Sequence, residues 1–203
     1  MNFNRFSEKL LSTIGSQELG TFHQRLVESY NKIEPLPRNY KVSLNDPWCA
    51  IYVSAMWHNW MTGYWFPYEC SCGRMAALAA KKNKFWAVEK VMAHIGWLMF
   101  YDWERDGSPD HVGYIIDVDN YHDRIRVVEG NYSNMVKERY IPINDRRIYG
   151  YVELEYEDSE IDRAKEWVTN NGIILGDGTA DSWSKPITRE QLAVILARYH
   201  QAT

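Results

Sequence analysis

The sequence has no apolar run long enough to cross a bilayer and no strongly basic segment. Its longest Lys/Arg-rich stretch is "KKNK" at 81–84, and the formal net charge of the 203 residues is −4. Nucleic-acid binding depends on clustered positive charge, and a membrane-spanning helix needs about 20 consecutive apolar residues. The sequence therefore predicts no nucleic-acid partner and no membrane insertion.

Cysteine is also scarce, with 3 residues in the chain. An odd number of cysteines in a chain of this length argues against a disulfide framework. Residues 1–20 lack the continuous apolar segment of a signal peptide. We expect a protein that is cytoplasmic when synthesised, in which Cys49 is a free thiol.

The proportions of hydrophobic and charged residues, 45% and 25%, are typical of a globular protein. The patterns in the first hundred residues predict helices. Apolar residues recur at three- and four-residue spacing over 5–33, with Gly15 and Gly20 as interruptions. The Ala-rich segment "CGRMAALAAKKN" ends in basic residues, which suit the negative end of a helix dipole. Both segments are predicted to be helical.

A further helix is predicted to begin within "NDPWC". Asn45 or Asp46 can accept hydrogen bonds from the exposed N–H groups of a first turn, and Pro47 suits the first helical position. We expect this helix to run to about Trp60, with Cys49 in its first turn.

After Ile95 the pattern changes to short runs of β-branched and aromatic residues separated by turn-forming residues. The runs cover 97–103, 111–119, 124–131, 136–143 and 149–156. Helices followed by strands indicate an α+β domain. We predict an antiparallel meander that closes near Tyr156, and hence a first domain over residues 1–156.

Residues 157–203 are predicted to form a second module, a small helical hairpin. They contain 8 acidic and 5 basic side chains, and so carry −3 of the total charge of −4. "IDRAKEWVTNNGI" predicts one helix, and "TREQLAVILARYH" predicts another. Thr188 and Gln191 have the spacing of a capping box at the start of the second helix.

Cys49 is the candidate nucleophile of the first domain. The positive end of a helix dipole favours a thiolate over a thiol, so a cysteine in the first turn has a lowered pKa. However, cysteine is among the most buried residue types, and a lone cysteine in "WCAIYV" is more often a packing residue. The catalytic interpretation therefore requires a base near the thiol.

His111 is the candidate base. It follows a Ser-Pro-Asp turn and opens a predicted strand, so its imidazole is expected at an open end of the sheet. Glu129 and Asn131 are two residues apart, which predicts that they share one strand face, where either could accept from the far ring nitrogen. A thiol, an imidazole and an orienting group together form a nucleophilic site.

The segments "DPWCAIYVSAMW", "PDHVGYIIDVD" and "VEGNYS", in this order, resemble the cysteine, histidine-dependent amidohydrolase/peptidase (CHAP) family of bacterial and phage wall hydrolases. The resemblance covers most of the first 155 residues and implies a papain-like α+β fold. It implies Cys49 as the nucleophile, His111 as base and acid, Glu129 as the orienting group and Asn131 as an assisting residue.

The reaction that this resemblance implies is hydrolysis of an amide bond in peptidoglycan. The bond is either the N-acetylmuramoyl-L-alanine amide or a peptide bond of the stem or cross-bridge. An enzyme without a signal peptide fits a phage or prophage endolysin that acts on the cell wall after release, and a host or secreted hydrolase has the same chemistry. The alternative is a non-catalytic cell-wall-binding protein on the same fold, in which Cys49 only packs.

No cofactor and no metal are predicted. "ECSC" at 69–72 places two thiols one residue apart, without the Cys-x-x-Cys spacing and second ligand pair of a structural zinc site. Some phage members of the family bind calcium through an Asp-rich run before the nucleophile, where this chain has only Asn45 and Asp46.

The segment 164–199 is similar to one S-layer homology repeat, with the "GI…GDG" turn and the "TREQ" helix start in place. This resemblance implies that 157–203 binds a secondary wall polysaccharide. The other interpretation is a helical hairpin that packs on the catalytic domain. A homodimer formed through this module is a further hypothesis.

Overall fold

The computed structural model of the chain describes residues 1–157 and 188–202. Contacts divide the chain into two compact units, Phe3–Tyr156 and Glu157–Thr203. The division falls at the same position as the change in charge composition. Within the described residues, no helix is both long enough and apolar enough to span a membrane.

The first unit has an α+β fold, with helices followed by a six-stranded antiparallel sheet. Its helices are α1 (Phe3–Leu11), α2 (Thr21–Tyr30), α3 (Cys49–Trp60) and α4 (Cys72–Lys81), with a 3-10 turn at Pro37–Asn39. Its strands are β1 (Phe85–Ala87), β2 (Leu98–Tyr101), β3 (His111–Asp119), β4 (Arg124–Glu129), β5 (Lys137–Pro142) and β6 (Ile148–Val152).

The strand order is β1-β6-β2-β3-β4-β5, so the predicted meander is correct for β2 to β5 and wrong for β6. β6 pairs with β2 and β1 instead of with its sequence neighbour β5. The sequence "IYGYV" of β6 is almost entirely buried and suits the middle of the sheet, whereas "KERYIP" of β5 is charged and suits an edge. The three-residue strand β1 was not predicted, because it is too short to show alternation.

Helix α3 begins at Cys49, later than predicted, and neither Asn45 nor Asp46 caps it. The carboxylate of Asp46 accepts hydrogen bonds from the backbone N–H and the hydroxyl of Ser43, at 2.7 and 2.8 Å, and from the hydroxyl of Tyr40 at 2.8 Å. Asp46 therefore closes a turn before the helix, since local side-chain bonds compete with capping. Cys49 remains in the first turn, as expected.

Helix α3 is the centre of the core. Every residue from Cys49 to Trp57 is buried, and Ser54 is the one side chain among them outside the hydrophobic core. It packs against α2 and β3, and the hydroxyl of Tyr114 in β3 donates a hydrogen bond of 2.7 Å to the carbonyl of Val53. This burial determines where the first residue of α3 lies relative to the sheet.

In the second unit, the structure describes helix α5 (Arg189–Ala202). The predicted capping box is confirmed, because the N–H of Gln191 donates to Oγ1 of Thr188 at 3.2 Å and the N–H of Thr188 donates to Oε1 of Gln191 at 2.8 Å. The predicted helix "IDRAKEWVTNNGI" and most of the S-layer-homology-like segment lie outside the described residues.

Gly130 allows the end of β4 to approach α3 closely. A Cβ atom at this position would lie 2.4 Å from Cβ of Tyr52 and 3.1 Å from Cζ3 of Trp48. Both neighbours are fully buried, so neither can move aside without disturbing the core.

We therefore expect Gly130→Ala to lower the free energy of unfolding by about 1–3 kcal/mol through overpacking. Chemical denaturation followed by tryptophan fluorescence measures this loss. Gly73→Ala in α4 is the matched control, because the nearest atom to its added Cβ is Oγ of Ser108 at an ordinary 3.7 Å, and alanine is the better helix former. An equal loss of stability in both variants would contradict the proposed contact.

Candidate active site

Cys49 is the first residue of α3, and its side chain is 6% exposed. Its sulfur lies 4.0 Å from the carbonyl oxygen of Asp110, directly before β3 begins. The N–H groups in the first turn of a helix have no intrahelical acceptor and attract negative charge. The fold therefore places the thiol where a thiolate is favoured and beside the strand that carries His111.

His111 is the first residue of β3, and it is buried instead of lying at an open sheet end, with 3% of its surface exposed. The indole of Trp103 stacks on the imidazole, with 4.5 Å between ring centroids and an interplanar angle of 23°. Trp103 is itself 39% exposed. The ring of His111 is therefore held between the sheet and an aromatic side chain that faces solvent.

Glu129 is the acidic partner of His111. Its Oε2 lies 3.4 Å from Nε2 of His111, an ion-pair distance somewhat longer than a direct hydrogen bond. Gly113 pairs with Glu129 across β3 and β4, and a Cβ on Gly113 would lie 2.6 Å from Cγ of Glu129. The glycine thus provides the space that lets this carboxylate lie over β3, near the imidazole two residues earlier.

Two further residues bind the carboxylate of Glu129, which is completely buried. The hydroxyl of Tyr101 in β2 donates to Oε1, and Nη1 of Arg139 in β5 donates to Oε2 at 3.0 Å. Sequence reasoning missed both residues, because only the strand register brings them to Glu129. The two donors hold the carboxylate in one orientation.

Asn131 does not share a strand face with Glu129, contrary to the prediction. β4 ends at Glu129, and Asn131 has a left-handed backbone with φ of +60°, which breaks the alternation of a strand. Among the hydrogen bonds of the described residues, none joins Asn131 to His111. Glu129 is the one of the two with an ion-pair contact to the ring of His111, at 3.4 Å from Nε2.

The charges of Cys49 and His111 support each other. Hydrogen bonding from Cys72, and then hydrogen bonding and charge from His111, hold the pKa of Cys49 well below its ordinary value despite burial. Burial lowers the pKa of His111, but the bonds to Cys49 and Glu129 outweigh it and raise the pKa to about 9. Both shifts favour the charged forms, a thiolate on Cys49 and an imidazolium on His111.

The other two cysteines differ in their surroundings. Cys72 is the first residue of α4, and its sulfur lies 3.6 Å from that of Cys49. Cys70 instead accepts from Nη2 of Arg38 at 2.9 Å and donates to Oε1 of Glu69 at 3.4 Å. No set of three or more His, Cys, Asp or Glu side chains in the described part of the chain is arranged to hold a metal ion.

Comparison with known protein families, with curated proteins and with solved structures finds no match for this chain. The functional interpretation therefore depends on the geometry of Cys49, His111 and Glu129, and on the sequence motifs that contain them.

Removal of the negative charge of Glu129 tests whether this carboxylate raises the pKa of His111. In Glu129→Gln we expect the pKa of His111 to fall from about 9 towards the ordinary value of about 6.5, because the imidazolium loses a negative neighbour while it stays buried. NMR titration of the His111 ring in the full chain measures this pKa.

Glu138→Gln is the matched control. Glu138 lies on β5 and accepts from Arg126 at 2.7 Å, so its loss removes a carboxylate of the same sheet without touching the imidazole. We expect the pKa of His111 to stay unchanged in this variant. If both variants shifted it equally, Glu129 would not be the specific partner of His111.

Proposed function

We propose that the first unit is a cysteine-dependent hydrolase of amide bonds in peptidoglycan, on a papain-like α+β fold. The observation that carries the proposal is the succession of three buried groups: the thiol of Cys49 at a helix start, the imidazole of His111, and the carboxylate of Glu129 at 3.4 Å from its Nε2. This is the order of nucleophile, base and orienting group that acyl transfer requires.

The chemistry follows from the charges of the pair. The thiolate of Cys49 attacks the amide carbonyl carbon, and the imidazolium of His111 donates its proton to the leaving amine. His111 then accepts a proton from the water that hydrolyses the acyl-enzyme, while Glu129 stabilises the imidazolium. The N–H of Cys49, at the first position of α3, has no intrahelical acceptor and suits the role of oxyanion donor.

Aromatic side chains border the site and fit a substrate made of sugars and short peptides. Trp103 lies against His111, and the ring of Tyr132 meets Trp103 edge-on with 6.1 Å between centroids. Amphipathic rings of this kind provide contact area for sugar and peptide groups. Peptidoglycan as the substrate follows from the three CHAP-like segments, two of which contain Cys49 and His111. An endolysin of a phage or prophage is the biological role that we propose.

Removal of the nucleophile tests the proposal. We expect Cys49→Ala to slow the clearing of purified Gram-positive cell walls by at least about 10³-fold, because the reaction loses its nucleophile. The neighbouring thiol of Cys72 does not replace it, since burial and its contact with Cys49 hold its pKa well above the ordinary value in the wild type. Turbidity of a wall suspension measures clearing. Cys70→Ala is the matched control and should clear walls as the wild type does, since Cys70 is bonded to Arg38 and Glu69 instead.

Equal clearing by Cys49→Ala and wild type would overturn the proposal, as would no clearing by the wild type on any wall tested. A wild-type protein that pellets with walls but never cleaves them would indicate the non-catalytic binding protein. For an active enzyme, mass spectrometry of the released muropeptides identifies the bond. A new amino terminus on the first alanine indicates an amidase, and one within the stem or bridge indicates an endopeptidase.

The second unit, Glu157–Thr203, belongs to this proposal as a wall-attachment module. Its support is the S-layer-homology-like sequence, together with the capping box that starts α5 at Thr188. A binding role for a secondary wall polysaccharide requires that the module increase the affinity of the whole chain for walls.

Deletion of 157–203 tests this role. In the Cys49→Ala background, which leaves the walls intact, we expect the deletion to lower severalfold the fraction of protein that pellets with purified walls. Walls stripped of secondary polysaccharide are the control and should abolish the difference between the two proteins. Unchanged pelleting after the deletion would count against attachment and favour a hairpin that only packs.

A further inference from the structure

Cys72 lies beside the candidate nucleophile and has no step in the hydrolytic mechanism. The sulfur atoms of Cys72 and Cys49 are 3.6 Å apart, and the two side chains are 7% and 6% exposed. Each cysteine is the first residue of a helix, α4 and α3 respectively. The two thiols are therefore close enough for a reaction between them to be considered.

We propose that Cys49 and Cys72 form a reversible disulfide when a hydroperoxide oxidises the site, and that Cys72 is the resolving cysteine. The disulfide occupies the sulfur of the nucleophile and so switches hydrolysis off until a dithiol reduces it. The loss of hydrolysis rests on the proposed function, whereas formation of the disulfide does not.

The first step is oxidation of Cys49. Its thiolate sulfur attacks one oxygen of the hydroperoxide, so that an S–O bond forms and the O–O bond breaks. Two electrons pass from sulfur to the peroxide, and the leaving alkoxide or hydroxide takes a proton from the imidazolium of His111. Cys49 is then a neutral sulfenic acid.

The second step is attack by Cys72. Its sulfur attacks the sulfur of Cys49, an S–S bond forms, the S–O bond breaks, and hydroxide leaves with the thiol proton as water. A dithiol reverses the process by supplying two electrons and two protons. The atoms therefore balance with a hydroperoxide as oxidant and a dithiol as reductant.

The charges give the two cysteines different roles. The lowered pKa of Cys49 favours its thiolate, so Cys49 reacts first, while the hydrogen bond to Cys49 and burial hold the pKa of Cys72 well above its ordinary value. Oxidation of Cys49 to a neutral sulfenic acid removes the adjacent negative charge. Cys72 then loses its proton more easily, at the moment when its thiolate is needed.

The geometry permits closure with a small movement. A disulfide requires the sulfur atoms to approach from 3.6 Å to about 2.05 Å. Cys49 and Cys72 are each the first residue of a helix, and Ser71 before Cys72 has an extended backbone. The movement therefore falls on helix ends and not on helix interiors.

Cys70 is excluded as the partner of Cys49 by its own contacts. Its sulfur bonds to the guanidinium of Arg38 and the carboxylate of Glu69, which is buried. The structure thus assigns one pairing out of the three that the cysteines allow, and it leaves Cys70 as an internal control.

Peptide mapping tests the proposal. The reduced full-length chain is treated with a small excess of hydrogen peroxide, remaining thiols are alkylated, and the digest is analysed by mass spectrometry. We expect one linked peptide pair that joins Cys49 to Cys72, with alkylation on Cys70. We expect wall clearing to fall by at least about tenfold and to return after dithiothreitol.

Two variants separate a resolving role from mere proximity. In Cys72→Ser, Cys49 should oxidise further to the sulfinic acid, which dithiothreitol does not reverse, and no linked pair should form. Cys70→Ser should behave as the wild type. Far-UV circular dichroism checks the fold of each variant, and the wild-type map decides the pairing without any substitution.

Three outcomes would overturn the proposal. One is a wild-type chain in which Cys49 reaches the sulfinic acid as readily as in Cys72→Ser. Another is a disulfide in which Cys70 itself takes part, and the last is no oxidation of Cys49 at all. Failure of the reduced wild type to clear any wall would instead refute the proposed hydrolase, because the peptide map needs no wall substrate.

Discussion

The buried carboxylate of Glu129 is the constraint on which the rest of the site depends. A carboxylate without solvent must be compensated, and removal of one partner from a buried ion pair costs about 3–5 kcal/mol. The compensating groups are Tyr101, His111 and Arg139, and they come from β2, β3 and β5, while Glu129 itself ends β4. The carboxylate of Glu129 thus contacts groups from three other strands. A slip of one residue in any of these strand pairings would turn one of these groups to the opposite face of the sheet.

Packing of α3 determines the position of Cys49, the other reactive group of the site. Residues 49–57 of the helix are buried, so packing contacts such as the close approach of Gly130 to Tyr52 determine the position of its axis. Its first residue is then placed at the start of β3, where Cys49 meets the carbonyl of Asp110 and the ring of His111. The nucleophile is in position because the core is well packed.

Burial and pairing act in opposite directions on the two reactive groups. Burial alone would raise the pKa of Cys49 and lower that of His111, and each group would then be neutral. Contact between them reverses both shifts, with help from Cys72 on one side and Glu129 on the other. The same enclosure that strengthens these charges also holds Cys72 against the thiolate, which links the reactivity of Cys49 to its oxidation.

The sequence by itself determined the local elements: the helices of the described residues, five of the six strands of the sheet, and the cap at Thr188. It also singled out Cys49 and His111 as candidate site residues, with Glu129 or Asn131 as the orienting group, because their neighbours in the chain carry recognisable patterns. Tertiary structure alone decided the position of β6, the partners of Glu129, and the contact of Cys49 with Cys72. The physical reason is distance along the chain: periodicity and capping depend on residues within a few positions, whereas these contacts depend on strand register and helix packing between distant segments.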